Sequence, residues 1–166
     1  MGYKRLSIFI CLLLLVMTFS YAQGMRKWSI HPAFEVNYTG YNSFVNLAYT
    51  AKENHVLEAG VSYNMSDGFT TNPTLGLNIS YRYKILNSDR WSAAIGADYR
   101  RQKPLAIVNI QTLCYTTNMT FRATKSISIH TRLGYGVAAE RARSAGSFSQ
   151  SNNITGLCQI GCGYHL

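Results

Sequence analysis

The chain has 166 residues, a formal charge of +9, 14% charged residues and 13% aromatic residues, with twelve Tyr among the latter. That length suits one domain. So few charges with so many Tyr argue against a soluble helical protein and for pleated, half-buried strands.

The N-terminus reads as a targeting segment. Lys4 and Arg5 precede an apolar run over 8–16, too short to span a hydrocarbon core of ~30 Å as a helix. Ser20 and Ala22 then place small residues where a signal peptidase reads them, which predicts cleavage after Ala22. The expected organisation is a signal peptide over 1–22 and one domain over 23–166. The mature chain would hold 144 residues and, without Lys4 and Arg5, a charge of +7. A basic exported protein suits anionic lipid headgroups, and export argues against nucleic acid. No small-residue box precedes Cys11, so the run does not read as a lipoprotein signal. Three cysteines remain, Cys114, Cys158 and Cys162, an odd number that argues against a disulfide framework. Cys158 and Cys162 would share one strand face about 13 Å apart at ~3.3 Å per residue, too far to bond. All three read as small apolar residues.

From residue 28 the pattern alternates with period two, the mark of half-buried strands. Eight runs follow in order: 28–38, 41–50, 57–65, 75–85, 91–100, 113–122, 127–137 and 154–166. The fourth is the cleanest, with Leu75, Leu77, Ile79, Tyr81, Tyr83 and Ile85 opposing Gly76, Asn78, Ser80, Arg82 and Lys84. Phe44 and Leu157 break the polar parity of their runs. The stretch 105–110 is apolar on both parities, which predicts a bulge or register change. Pro32 lies inside the first run and costs a ladder bond unless accommodated; Pro73 and Pro104 fall between runs. The connections 51–54, 86–90 and 124–126 read as short turns. The opposite end carries a tight turn at Thr39-Gly40 and longer loops at 66–73, 101–104 and 140–152, with the Ser/Asn/Gly-rich 144–153 reading as a mobile surface loop.

Eight antiparallel runs with short turns at one end and longer loops at the other predict an all-β, closed, eight-stranded, up-and-down transmembrane barrel. A soluble lipocalin-type barrel alternates too, with its apolar parity inside. Two features favour the membrane. The polar parity is rich in Gly, Ala, Ser, Thr and Asn, which suits a lumen just wide enough for side chains. The aromatics of the apolar parity gather at strand ends, as at membrane interfaces: Trp28, Tyr83, Trp91 and Tyr164 at one end, Tyr38, Tyr41, Tyr63 and Tyr99 at the other.

The last run contains Ile160, Cys162, Tyr164 and Leu166 at alternate positions. Here the chain resembles small outer-membrane barrels of the OmpA/OmpX type, whose last strand carries Tyr third from the end and a terminal aromatic. Leu166 stands where that pattern has Phe or Trp. The resemblance covers the mature chain as architecture, with no motif naming one family. It implies a bacterial outer-membrane location and those four residues as the signal read by the assembly machinery.

The predicted lumen gathers Glu35, Glu58 and Asp98 with Arg82, Lys84, Arg100, Arg122 and Arg132. Buried charges need partners, so these eight are expected to form an ion-pair network that plugs the barrel. Eight strands exclude a wide pore unless several chains share one barrel. His31, His130 and His165 share the lumen parity and read as satisfied polar side chains rather than metal ligands. Ser128, His130 and Glu140 suggest a lipid hydrolase, but the pair faces the lumen and no G-x-S-x-G elbow supports it. Arg101, Lys103, Arg141 and Arg143 lie near the outer rim, where lipopolysaccharide phosphates would meet them. The leading expectation is a surface-interaction or structural role without catalysis or cofactor. The alternatives are a barrel enzyme on membrane lipids and a soluble ligand-binding barrel.

Overall fold

The computed structural model describes residues 27–52, 54–65, 75–105, 107–144 and 147–166. The expected signal segment and the whole of the 66–73 loop, with Pro73, lie outside them. The described residues form eight strands: β1 (Trp28–Asn37), β2 (Gly40–Ala51), β3 (His55–Asn64), β4 (Leu75–Asn87), β5 (Trp91–Leu105), β6 (Val108–Arg122), β7 (Ile127–Ser144) and β8 (Ser147–His165). Each pairs antiparallel with the next, and β8 returns to β1, closing the barrel.

The alternation dictates the sidedness. Residues of the polar parity turn inward and are buried; those of the apolar parity turn outward and are exposed. Leu75, Ile79, Tyr115 and Leu133 are all outside, Tyr115 at 83% exposure. This is the inverse of a lipocalin-type barrel, which needs its apolar parity inside to hold a ligand. The two parity exceptions are lumen fillers: Phe44 is 2% exposed and Leu157 is 5% exposed.

Two glycines let the wall curve. A Cβ on Gly96 would lie 2.0 Å from the Tyr81 carbonyl oxygen, and one on Gly136 would lie 1.9 Å from that of Leu113. At both positions the neighbouring backbone occupies the space of a side chain, a known means of bending a sheet towards closure. Pro32 is tolerated for a different reason. The β1–β8 pairing passes from Ile30↔Tyr164 to Ala33↔Gly161, so it skips His31 and Pro32, and the missing N–H falls in that gap.

The ends differ from the sequence expectation. The segments 101–104, 140–144 and 147–152 are strand, not loop. β5 continues to Leu105 and pairs Leu105↔Val108, with the register shift between Gln102 and Leu105. Pro104 therefore sits inside a strand, at an irregularity that accommodates it. The surface segment 144–153 belongs mainly to a β-hairpin, since β7 and β8 pair from Ile127↔Tyr164 out to Ser144↔Ser147. At the end expected to carry short turns, β4 and β5 are joined over 88–90 and β6 and β7 over 123–126, with 51 and 86–87 in strand rather than turn. Ser88 N–H donates to the Trp91 carbonyl at 2.8 Å, and Ile127 N–H donates to Thr124 Oγ1 at 3.0 Å. At the other end Gly40 takes a φ of 100°, and Thr39 N–H donates to Asn37 Oδ1 at 2.8 Å.

Candidate functional site

The lumen is filled by one connected set of side chains. Glu58 of β3 is its hub: it accepts from Arg82, from Arg132 at 2.6 Å, from Ser80 at 3.0 Å and from His31 Nδ1 at 2.6 Å. Arg132 of β7 reaches on to Asp98 at 2.9 Å. Asp98 also accepts from Arg100 at 3.0 Å, and Arg100 pairs with Glu35. Asn37 closes the chain by donating to Glu35 at 2.7 Å. Carboxylates from β1, β3 and β5 thus meet guanidiniums from β4, β5 and β7. Arg132 is 1% exposed and Glu58 is 2% exposed, so only mutual pairing makes these charges tolerable.

Polar amides and two apolar residues complete the filling. Gln102 donates to Asn42 at 2.9 Å, and Asn78 donates to Asn46 at 2.9 Å. Phe44 lies with its ring centroid 4.8 Å from the Arg100 guanidinium carbon, a cation–π contact in a desolvated setting.

Two residues expected in this network stand elsewhere. Arg122 is exposed and donates to the Asp89 carbonyl oxygen at 3.2 Å. Lys84 is half-buried, and both line a polar cavity at the end that carries Trp28 and His165. They lie near that end of their strands, so the inward parity points them into the mouth rather than the middle. His31 is the member that sequence reasoning left out. Its lumen parity was visible, but its contact with Glu58 depends on the offset between β1 and β3.

The hydrolase residues are not assembled. Ser128 Oγ lies 3.1 Å from His165 Nε2, not on His130. Glu140 pairs in register with Ile110 and Ser151 towards the far end of the same strand. Among the three histidines, the His31 ring centroid is 5.1 Å from that of His130 and 6.4 Å from that of His165.

The outer surface carries the aromatic residues at both ends. At the end with the short turns, Trp28 stacks near Tyr49 and Trp91 near Phe121, both at 4.8 Å between centroids. Tyr83 and Tyr164 are exposed at the same end. At the opposite end Tyr41, Tyr63 and Tyr99 are exposed, while Tyr38 sits in the β1–β2 turn and accepts from Asn153 at 3.2 Å. Beyond Tyr99 lie the rim cations. Arg101 donates to Asn109 at 3.1 Å, and Asn109 is paired in register with Arg141. Lys103 and Arg143 are exposed on the same extended wall. Ile160 and Tyr164 face outward on β8, as does Cys162, and Leu166 N–H donates to the Trp28 carbonyl at 3.0 Å. Cys158 is also exposed, and Cys114 is buried in the lumen.

No protein-family model matches the chain, and no curated relative matches it. Among solved structures it is similar to a de novo designed transmembrane β-barrel, with 12% identity over 87% of this chain and 98% of the other at a TM-score of 0.57. A second design, TMB2.3, matches at 10% identity, the same coverage and a TM-score of 0.57. The KdgM porin matches at 11% identity over 83% of this chain and 99% of the other, with a TM-score of 0.34. The chain therefore has the fold of a closed, eight-stranded antiparallel barrel of the transmembrane kind.

Proposed function

We propose that this protein is a bacterial outer-membrane barrel, exported by a signal peptide cleaved after Ala22, that acts as a surface-interaction or structural protein and conducts nothing through its lumen. The observation that carries this reading is the inverted sidedness: an apolar exterior bounded by aromatic ends around an ion-paired interior. In hydrocarbon a closed barrel satisfies every backbone group without an edge, and the apolar belt then faces lipid. The plug leaves the ends of the barrel as the places where it can meet other molecules.

The end opposite the termini supports the surface role. β7 and β8 have 18 and 19 residues, against 10 for β1 and β3. The β1–β8 pairing ends at Asn37↔Leu157, so among the described residues β8 over 147–156 pairs with β7 alone. A raised polar hairpin with an open edge suits contact with a partner. Arg101, Lys103, Arg141 and Arg143 on that wall suit the phosphates of lipopolysaccharide, because charge-assisted pairs to guanidinium are strong. The alternating Ile160, Cys162, Tyr164 and Leu166 are the proposed contact for the assembly machinery.

The test is fractionation of cells expressing the full chain, with gel migration before and after boiling. Outer-membrane recovery with a heat-dependent shift supports the reading; recovery as soluble periplasmic protein without a shift overturns it. Labelling of Ser149→Cys by an impermeant maleimide on intact cells tests the orientation. The Arg101→Glu/Arg141→Glu pair should weaken lipopolysaccharide binding to the purified barrel several-fold.

A further inference from the structure

On the outer face, β5, β6 and β7 carry a groove of about 450 Å³, lined in part by Ile95, Tyr115, Thr117, Leu133, Gly134 and Tyr135. The register explains its position. Ile95, Thr117 and Leu133 form one cross-strand row of outward residues, and Ala97, Tyr115 and Tyr135 form the next. Thr116 and Gly134, paired in register, lie between the two rows. Thr117 and Ala97 are short, while Tyr115 and Tyr135 stand out from the wall as exposed rings. Tall side chains beside short ones leave a recess that a wall of even height would lack.

Towards the far rim the rows change character in a fixed order. Tyr99, Leu113 and Val137 continue the apolar face. Arg101, Gln111 and Ala139 form the next row, and Asn109 with Arg141 the one after. Arg101 donates to Asn109 at 3.1 Å, which holds its guanidinium over this face, and Arg141 is exposed beside them. These strands are long enough to carry both the groove and the cations. β5 and β6 have 15 residues and β7 has 18, against 10 for β1 and β3.

The spacing between groove and cations fits a membrane lipid. Arg101 stands six residues beyond Ile95 on β5, about 20 Å along the strand at ~3.3 Å per residue. A strand tilt of ~40° turns that into about 15 Å of height, which is half of a hydrocarbon core of ~30 Å. A lipid with its phosphate at Arg101 would therefore bring an acyl chain down to the groove within one leaflet. Walls on both sides of that chain give it more dispersion contacts than a flat belt offers, and guanidinium–phosphate pairs are charge-assisted.

We propose that the β5–β7 face is a specific site for lipopolysaccharide, with one acyl chain of its lipid A portion in the groove of Thr117 and Leu133 and a phosphate at Arg101 and Arg141. Tyr115 and Tyr135 suit the passage between the two, since their rings are apolar and their hydroxyls donate. Lipopolysaccharide fits better than a phospholipid because the cations continue past Arg101 to Lys103, Arg141 and Arg143, a height that a phosphorylated sugar headgroup reaches. The proposal rests on the outer-membrane reading and deepens its rim contact. It adds a seat for the chain, so that the lipid is held at one place on the wall rather than anywhere around the belt.

The test uses the full mature chain labelled with 3-fluorotyrosine, folded in non-ionic detergent and checked by its heat-dependent gel shift. Fluorine NMR of Tyr115 and Tyr135, assigned through Tyr115→Phe and Tyr135→Phe, reads the groove, and calorimetry reads total binding. Lipid A should shift both resonances saturably, and its deacylated phosphosaccharide should not. Thr117→Trp, which fills the groove, should weaken the lipid A shift at least tenfold while the gel shift persists. Tyr135→Ala, which removes one wall, is the second groove variant and is read at Tyr115. Ala59→Trp, outward on β3, should leave the titration unchanged, and Arg101→Glu/Arg141→Glu should weaken it several-fold. If lipid A binds through Arg101 and Arg141 while both resonances stay still, or while the groove variants titrate like the parent, the groove proposal is overturned and the rim reading stands. Equal shifts with phosphatidylglycerol overturn it as well, and no binding of lipid A at all overturns both readings.

Discussion

Replacing Glu58 by Gln removes the hub of the lumen network while keeping its shape. Arg132 would retain Asp98 at 2.9 Å. Arg82 would not be so placed, because Glu58 is the one carboxylate within ion-pair distance of it among the described residues. A cation at 5% exposure would then stand unpaired. Breaking a buried pair from one side costs about 3–5 kcal/mol, or about two to three and a half powers of ten in the folding equilibrium at ~1.4 kcal/mol per tenfold. Asp98→Asn should cost less, about 1.5–3 kcal/mol, since Arg100 keeps Glu35 and Arg132 keeps Glu58. Removing the stranded charge as well, in Glu58→Gln/Arg82→Met, should recover most of the loss. Urea unfolding from lipid vesicles, followed by Trp28 and Trp91 fluorescence, measures all three. A loss below about 1 kcal/mol for Glu58→Gln, or a loss for Asp98→Asn as large as that for Glu58→Gln, refutes the role of Glu58 as hub.

Three further substitutions probe the wall of the barrel. Leu133 faces outward midway along β7 at 59% exposure, so Leu133→Arg should destabilise the barrel in vesicles by about 2–4 kcal/mol, the cost of a cation at the bilayer midplane; an unchanged unfolding midpoint would place that face in water. Gly96→Ala pushes a methyl into the Tyr81 backbone and should cost about 1–3 kcal/mol as overpacking, read as a smaller heat-shiftable fraction after refolding. Trp91→Leu keeps an apolar residue but loses the ring contact with Phe121 at 4.8 Å, which should lower unfolding free energy by about 0.5–1.5 kcal/mol in the same vesicle assay.

The strands were legible wherever one face meets an apolar surrounding and the other a polar one. Leu75 to Tyr83 alternates without a break for that reason, and its parity gives the inward face of Arg82 directly. Beyond the belt both faces of a strand meet polar surroundings, so the alternation that would announce it disappears. That is why 140–152, rich in Ser, Asn and Arg, resembled a loop although it pairs through to Ser144↔Ser147. Phe44 and Leu157 looked like faults in the pattern because composition alone does not show that a narrow lumen needs apolar filling as well as charge. The partners inside the lumen were hidden for another reason. Parity says that Glu58 and Arg132 both point inward, but their 2.6 Å contact depends on how far each strand is displaced along its neighbours.

The ion pairs of the lumen are concentrated in the middle of the barrel. Three carboxylates and three guanidiniums from five strands tie the middle of the barrel across its own axis. A substitution there should act on folding before it acts on any partner. The ends are built differently. At the far rim, exposed cations stand on strands that have outgrown β1 to β4. At the terminal mouth, Arg90, Arg122 and His165 line a small cavity. The charges of inward parity thus tie the middle of the barrel, and those of outward parity stand at its far rim.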